Sequence, residues 1–65
     1  MFEAKNKGMT PSGSWYSIGQ DAPESFHVSV GKGNFVIYEH FLSPPSIEFI
    51  TDNILLLEKQ LEQPS

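Results

Sequence analysis

The sequence contains no cysteine among its 65 residues. Disulfides, thiolate zinc sites, iron–sulfur clusters and thiol nucleophiles are therefore excluded. The absence of cysteine fits a reducing compartment, and we expect a cytoplasmic location. A chain of this length buries only about 60% of the surface that it exposes when unfolded, so its own core is expected to be thin.

Arginine is also missing, and four lysines are set against eight acidic residues for a net charge of −4. Phosphate-backbone binding depends on clustered lysine and arginine, and arginine is the preferred residue for bidentate contacts with guanine. Two of the lysines, Lys5 and Lys7, lie near the N-terminus, which leaves the rest of the chain more acidic still. The composition therefore disfavours direct nucleic-acid binding.

Long apolar runs are absent as well, since the longest uninterrupted one covers only 54–57. A membrane-spanning helix needs about 20 apolar residues. The N-terminal stretch contains Glu3 and has no apolar run after its lysines, which is unlike a secretory signal. We therefore expect a soluble protein that does not bind a membrane.

Residues 1–14 combine glycine, proline and scattered polar residues without a regular hydrophobic period. Such a stretch is typical of a flexible terminus. We predict a flexible N-terminal lead-in over 1–14, although the apolar side chains of Phe2 and Met9 can dock on the body or on a partner. A single small domain is predicted over 15–65.

Three strands are predicted in the first part of this domain. The first is the short aromatic segment 15–18, which Gly19 is expected to end. The second, 25–30, alternates between apolar and polar residues, as a half-buried strand does. The sequence Gly-Lys-Gly-Asn at 31–34 is typical of a hairpin turn, and the third strand follows over 35–41.

A helix is predicted after the break at Ser43-Pro44-Pro45. Apolar residues there recur at spacings of 3, 4, 3 and 4 in one narrow helical stripe, which consists of Ile47, Ile50, Ile54, Leu57 and Leu61. Ser46 is the expected N-cap, and Pro64 is expected to end the helix. An alternative interpretation makes 46–50 a short fourth strand, followed by a shorter helix.

These elements predict an α+β fold in which a small three-stranded antiparallel sheet packs against one C-terminal helix, in the order β-β-β-α. The helix is expected to cover the sheet face formed by Phe26, Val28, Val30, Phe35 and Ile37. One helix leaves the second sheet face without a cover. The large apolar residues without a place in this core include Trp15, Tyr16, Val36, Tyr38, Phe41 and Leu42.

This surplus of apolar side chains is the main functional signal. Exposed patches of aromatic and branched side chains mark interaction sites, and Trp and Tyr are enriched among interface hot spots. We interpret the chain as a small acidic protein-binding module that acts as an inhibitor, adaptor or regulatory subunit of a larger protein. The predicted partner-binding residues are Trp15, Tyr16, Asp21, Glu24, Tyr38 and Phe41.

The negative charge indicates the kind of partner to expect. A rim of acids would steer the domain toward a basic surface, and its predicted members are Asp21, Glu24, Glu39, Glu48 and Asp52. A nucleic-acid enzyme with a basic groove is one such partner. Two alternatives stay open. One is a homo-oligomeric structural protein, such as a homodimer that pairs either helix to helix through the apolar stripe or through a free sheet edge. The other is a weak single-stranded nucleic-acid binder that uses the sheet aromatics.

The sequence shows no catalytic or metal-binding pattern. His27 and His40 are predicted to share one sheet face, but Glu39 points to the other face, and a zinc site needs three or four ligands. The glycines at 31–34 lack the spacing and the following helix of a phosphate loop, and no G-x-S-x-G motif is present. We therefore predict no enzyme activity, no cofactor and no metal.

Overall fold

Four strands and one helix make up residues 2–62, which a computed structural model of the chain describes. The elements are β1 (Lys7–Met9), β2 (Trp15–Ala22), β3 (Ser25–Lys32), β4 (Phe35–Phe41) and α1 (Ile47–Glu62). The strands form one antiparallel sheet in the order β1-β2-β3-β4, so that neighbours in the chain are neighbours in the sheet. The predicted α+β class with a C-terminal helix is confirmed, with four strands in place of three.

The additional strand, β1, lies in the segment for which we predicted a flexible lead-in. It pairs with β2, and Gly8 lies opposite Tyr16. Ahead of β1, the Ala4 amide donates a hydrogen bond to Thr51 Oγ1 of α1 at 3.0 Å, and the Ala4 side chain is buried. The sequence prediction missed β1 because a three-residue Lys-Gly-Met segment has no periodicity of its own.

β2 continues through Gly19, where the sequence predicts its end. The strand reaches Ala22 and pairs with β3, with an irregularity between Gln20 and Ala22 at Asp21. Gly19 lies beneath the ring of His27, because a Cβ atom at this position would be only 2.5 Å from Cε1 of that ring. Glycine is therefore needed here to make room for a ring, and it does not end the strand.

β3 and β4 form a hairpin with a two-residue turn at 33–34. Gly33 has a φ of +63°, and no non-glycine residue among those described has a positive φ. A turn with positive φ at its first central residue only is of type II′, which matches the twist of the two strands. The sequence predicts a longer turn over 31–34, but Gly31 continues β3 and pairs with β4.

α1 begins at Ile47, as the apolar stripe predicts. Ser46 is its N-cap, since the Ser46 Oγ accepts a hydrogen bond from the Phe49 amide at 3.1 Å. The alternative of a strand over 46–50 is therefore wrong, and the predicted helix end at Pro64 lies outside the described residues. Within the part of the chain that the structure describes, no helix has both the length and the apolar character that a membrane crossing requires.

The core lies between α1 and one face of the sheet. Its buried apolar residues are Ala4, Tyr16, Val28, Val30, Ile50, Ile54 and Leu57. Phe26 and Ile37, which we predicted for this face, are half-buried, while Phe35 at the start of β4 is 70% exposed. The helix therefore covers the predicted face in the middle of the sheet, but it does not cover Phe35.

Two contacts show how α1 is oriented over β4. The rings of Phe41 and Phe49 pack edge to face with centroids 5.3 Å apart. One helical turn later, Asn53 Nδ2 donates a hydrogen bond to Glu39 Oε2 at 2.7 Å. The side of α1 that contains Phe49 and Asn53 therefore lies above β4.

A buried carboxylate joins the β1–β2 connection to α1. Glu58 is 5% exposed and accepts a hydrogen bond from Thr10 Oγ1. Burial alone would raise the pKa of the Glu58 carboxyl, but the polar groups of Ser14 and Thr10 and the charge of Lys32 outweigh this effect and lower the pKa below its ordinary value. The Ser14 hydroxyl itself has no partner in hydrogen-bond geometry within the described chain. Thr10 is therefore the side chain that donates directly to the carboxylate.

Candidate functional site

The sheet face opposite α1 has no cover, since no helix or strand of residues 2–62 packs against it. Strand alternation and the pairing registers define its members. We call this surface the open face, and it consists of Lys7, Met9, Trp15, Ser17, Gly19, His27, Ser29, Gly31, Val36, Tyr38 and His40. Its large apolar side chains are exposed to solvent, with 41% exposure for Trp15, 58% for Tyr38 and 59% for Val36.

One end of the open face is an apolar row. Met9 lies opposite Trp15, Trp15 opposite Gly31, and Gly31 opposite Val36. The indole ring of Trp15 occupies the space above Gly31, because a Cβ atom there would lie only 2.2 Å from Cζ2 of the ring. Gly31 therefore lets the Trp15 ring lie across β3, and the row of Met9, Trp15 and Val36 crosses all four strands.

The other end of the open face is polar and aromatic. The Asp21 carboxylate lies 2.9 Å from His27 Nδ1 and 3.5 Å from His40 Nε2. The ring of Tyr38 packs against that of His40 with centroids 5.0 Å apart. His27 and His40 share this face, as predicted, and lie directly opposite each other on β3 and β4. In the described range 2–62, no group of three or more His, Cys, Asp or Glu side chains is arranged as a metal site.

Part of the predicted partner-binding set comes together at this surface. Trp15 and Tyr38 belong to the open face, two strands apart. Asp21 lies beside it, in contact with His27. Glu24 is exposed in the turn that joins β2 to β3, close to the same end of the sheet.

Tyr16 and Phe41 lie on the side that faces α1. Tyr16 is 4% exposed, and its hydroxyl accepts a hydrogen bond from the Lys5 amide at 3.0 Å. Phe41 is half-buried against α1. Because successive residues of a strand point to opposite faces, Trp15 and Tyr16 cannot both belong to one surface. Tyr16 and Phe41 therefore do not belong to the open face, and a partner bound there does not contact them.

The acids predicted to form one rim are divided between the two sides of the molecule. Asp21 and Glu24 lie at the β2–β3 end of the sheet, where a partner on the open face can contact them. Glu39 is hydrogen-bonded to α1, and Glu48 and Asp52 lie on α1 itself. Of the five acids, only the first two are positioned for a partner that covers the open face.

Two residues of the predicted N-terminal lead-in belong to the open face. Met9 extends the apolar row, and Lys7 lies in the same cross-strand row as Ser17 and Tyr38. Both residues belong to β1. The isolated apolar side chain of Met9 was the available signal, but its place on a face depends on pairing with β2, which the sequence of β1 does not encode.

No protein family model, curated protein or solved structure matches the chain. An apolar row next to a group of hydrogen-bonding side chains is the composition typical of protein contact surfaces, in which an apolar centre is combined with polar groups at its margin.

Proposed function

We propose that the chain is a protein-binding module whose contact surface is the open face. The observation that supports the proposal is the exposed apolar row of Met9, Trp15 and Val36 with Tyr38 beside it. Contiguous apolar surface of this kind is unusual on a free monomer and marks interaction sites. The proposed role is binding without catalysis, as an inhibitor, adaptor or regulatory subunit of a larger protein.

The dimensions of the molecule suit such a role. It measures 34 × 27 × 15 Å along its principal axes. One side of a molecule of this extent is comparable with the roughly 800 Å² that each partner buries in a standard protein–protein interface.

Trp15 is the residue that we expect to contribute most to binding. Its ring is held against the sheet above Gly31, so that few rotamers are lost when a partner covers it. Tryptophan is also strongly enriched among hot-spot residues. A pocket on the partner that accepts this indole ring would exclude water from the centre of the contact.

The partner is proposed to present a basic surface. The chain has a net charge of −4, and Asp21 and Glu24 lie at one end of the open face. Opposite charges on the two proteins accelerate their encounter and fix their relative orientation. A nucleic-acid enzyme with a basic groove is one class of protein with such a surface. We also propose a cytoplasmic location, which the absence of cysteine favours.

Replacing Trp15 by alanine tests the proposal. Because this side chain lies outside the core beneath α1, Trp15→Ala is expected to keep the far-UV circular dichroism of the folded chain while it lowers partner capture from a host extract by about tenfold or more. Leu55→Ala is the matched control. Leu55 is 39% exposed, close to the 41% of Trp15, but it lies on α1 on the other side of the sheet. Its replacement is expected to leave capture unchanged.

Crosslinking then shows whether the captured protein covers the open face. A photoreactive amino acid in place of Ser17, between Trp15 and the polar end of the face, is expected to crosslink to the captured protein. The same amino acid in place of Leu55 is expected not to do so. Equal loss of capture in the two alanine variants, or crosslinking from position 55 alone, would sink the proposal. So would unfolding of Trp15→Ala, because it would place the ring in the core.

Single-stranded nucleic acid is the second ligand that the same surface could stack against. Trp15 and Tyr38 are exposed sheet aromatics, and the pairing of β1 adds the cation Lys7 to their face. Stacking platforms normally lie in a basic groove, and the net charge of −4 is opposed to this, so we place it second. Quenching of Trp15 fluorescence by a single-stranded homopolymer at low salt, reversed by added salt, would favour it over a protein partner.

A further inference from the structure

β4 is a free edge of the sheet. Within residues 2–62, the strand order β1-β2-β3-β4 leaves β1 and β4 with one unpaired side each. β4 is seven residues long, and its pairing with β3 runs through all seven positions without irregularity. A long and regular edge strand presents a row of main-chain donors and acceptors that can pair with another strand.

The register identifies the main-chain groups that point outward from β4. In a hairpin with a two-residue turn, the residues next to the turn exchange both hydrogen bonds, and hydrogen-bonded pairs then alternate along the strands. Lys32 and Phe35 flank the turn, so the odd-numbered residues of β4 bond to β3. The N–H and C=O groups of Val36, Tyr38 and His40 therefore point away from the sheet.

Apart from Glu39, whose carboxylate accepts a hydrogen bond from Asn53 of α1, β4 has none of the features by which proteins usually prevent pairing at an edge. It contains no proline and no lysine, and no bulge interrupts its pairing with β3. Short length, lysine, proline and bulges are the usual means of protection. The opposite edge has several of them, because β1 is three residues long, begins at Lys7 and is followed by Pro11. The contrast indicates β4 as the edge that another strand can join.

We propose that β4 pairs antiparallel with β4 of a second copy of this chain, around a two-fold axis at Tyr38. The outward residues are spaced symmetrically about this position, so Tyr38 meets Tyr38 of the second copy and Val36 meets His40 of the second copy. All of the outward N–H and C=O groups of these residues then find partners. The same strand contributes from both copies, as a closed two-fold interface requires.

The side chains on the helix side of β4 fit the same register. With Tyr38 on the axis, Phe35 of one copy lies opposite Phe41 of the other. Phe35 is 70% exposed in the single chain, whereas Phe41 already packs against Phe49. Pairing therefore brings an exposed ring onto an existing aromatic contact at each end of the interface, and aromatic pairs of this kind stabilise beyond the area that they bury.

Pairing with a second copy also brings exposed apolar residues of α1 close to the second helix. A two-fold axis perpendicular to the sheet sets the two helices side by side on the same face of the joined sheet. The side of α1 that contacts β4 contains Phe49 and Asn53, and Leu56 lies three residues farther along this side. Phe49 is 48% exposed and Leu56 is 58% exposed, and both then face the second helix.

Self-association at β4 goes beyond the proposed function of the open face and does not depend on it. Trp15 lies on β2, two strands away from β4, and it stays exposed in the pair. The open faces of the two copies join into one continuous surface with Tyr38 at its centre. Variants of β4 and variants of Trp15 therefore test the two proposals separately.

Cysteine crosslinking tests the pair directly, because the chain contains no cysteine of its own. In a hydrogen-bonded antiparallel pair the Cα atoms lie about 5.5 Å apart, which is within the range that a disulfide spans. The Tyr38→Cys variant is expected to form a disulfide-linked dimer under mild oxidation. Ser17→Cys, on the same face but away from β4, is the control and is expected to run as a monomer on a non-reducing gel.

Two further variants test the register. Val36→Cys and His40→Cys are each expected to give little crosslinked product alone, because position 36 of one copy meets position 40 of the other. An equal mixture of the two variants is expected to crosslink, since about half of randomly formed pairs combine one copy of each. Both side chains are exposed, so neither replacement is expected to disturb the fold.

Sedimentation equilibrium of the unsubstituted chain provides the independent measurement, and a monomer–dimer equilibrium is expected. Tyr38→Pro removes an outward N–H and leaves the hydrogen bonds to β3 in place, so it is expected to weaken dimerisation about tenfold or more. An unsubstituted chain that stays monomeric at all concentrations would overturn the proposal. So would equal crosslinking of Tyr38→Cys and Ser17→Cys, crosslinking of Val36→Cys alone, or crosslinking of Tyr38→Cys only to a different protein.

Discussion

Trp15 and Tyr16 are adjacent in β2, but they lie on opposite faces of the sheet, and α1 covers only the face that contains Tyr16. Tyr16 is 4% exposed beneath α1, whereas Trp15 is 41% exposed on the other side. Val30 and Val36, on neighbouring strands, show the same contrast with 0% and 59% exposure. Aromatic residues and valine occur on both faces, and the exposure of these particular residues differs because α1 covers one face only.

Because of this difference, we expect the covered face to contribute mainly to stability and the open face mainly to binding. Burial of apolar surface stabilises a fold by about 25 cal/mol per Å², so the face beneath α1 supplies most of the free energy of unfolding. The open face contributes little to that free energy, and its apolar side chains are available to a partner. Replacement of the same residue type on the two faces should therefore have different consequences.

The largest expected difference is between Val28→Ala and Val36→Ala. Val28 is fully buried, and its replacement removes two methyl groups and leaves a cavity, which is expected to lower the free energy of unfolding by about 2–3 kcal/mol. Val36→Ala is expected to change it by less than about 0.5 kcal/mol. Urea denaturation at a protein concentration where the chain is monomeric measures both values. Similar losses in the two variants would mean that the open face is covered.

A somewhat smaller effect is expected from Thr10→Val, which acts on the covered side through Glu58. Removal of the hydroxyl that donates to a buried carboxylate and accepts from the Ser14 amide is expected to cost about 2 kcal/mol near neutral pH. Because folding lowers the pKa of Glu58, its contribution to stability is complete above the pKa of the unfolded chain. The contribution is lost as the pH falls through the lower pKa of the folded chain.

The pH dependence distinguishes this contact from ordinary packing. In Thr10→Val the pKa of Glu58 moves back toward its ordinary value, so the loss of stability on acidification becomes shallower than in the unsubstituted chain. Glu58→Gln is the control, since it removes the titrating group altogether. Urea denaturation over a range of acidic pH measures the slopes. An unchanged slope in Thr10→Val would show that this hydrogen bond does not lower the pKa.

The smallest expected difference is between Tyr16→Phe and Tyr38→Phe. The Tyr16 hydroxyl accepts a hydrogen bond from the Lys5 amide, and its removal is expected to cost about 1 kcal/mol. Tyr38 is exposed on the open face, and loss of its hydroxyl is expected to leave the free energy of unfolding unchanged. Thermal denaturation followed by circular dichroism compares the two. A larger loss in Tyr38→Phe would reverse the assignment of the faces.

The elements with a period of their own could be predicted from the sequence. The apolar stripe from Ile47 to Leu61 predicted the helix, which has its N-cap at Ser46. The alternation of apolar and polar residues predicted β3 with its buried Val28 and Val30. The lack of a cover on the second sheet face could also be predicted, because the sequence predicts a single helix. These features depend on local spacing, which a single sequence contains.

The features that were missed depend on contacts between distant segments. β1 is three residues long and is held by pairing with β2 and by the bond from Ala4 to Thr51. The turn of the hairpin was placed too early because Gly31 has the appearance of a turn residue, whereas it is glycine to accommodate the Trp15 ring. Which of two adjacent aromatic residues faces α1 is likewise decided by cross-strand register, so Tyr16 could not be separated from Trp15.

The chain has one tryptophan, and it lies on the open face. Acrylamide quenching of Trp15 fluorescence, in the isolated chain and in its complex with a captured partner, therefore tests the central claim most directly. We predict efficient quenching in the isolated chain at every protein concentration, and strong protection in the complex. An indole ring already shielded in the isolated folded chain, or one quenched equally well in the complex, would contradict the claim.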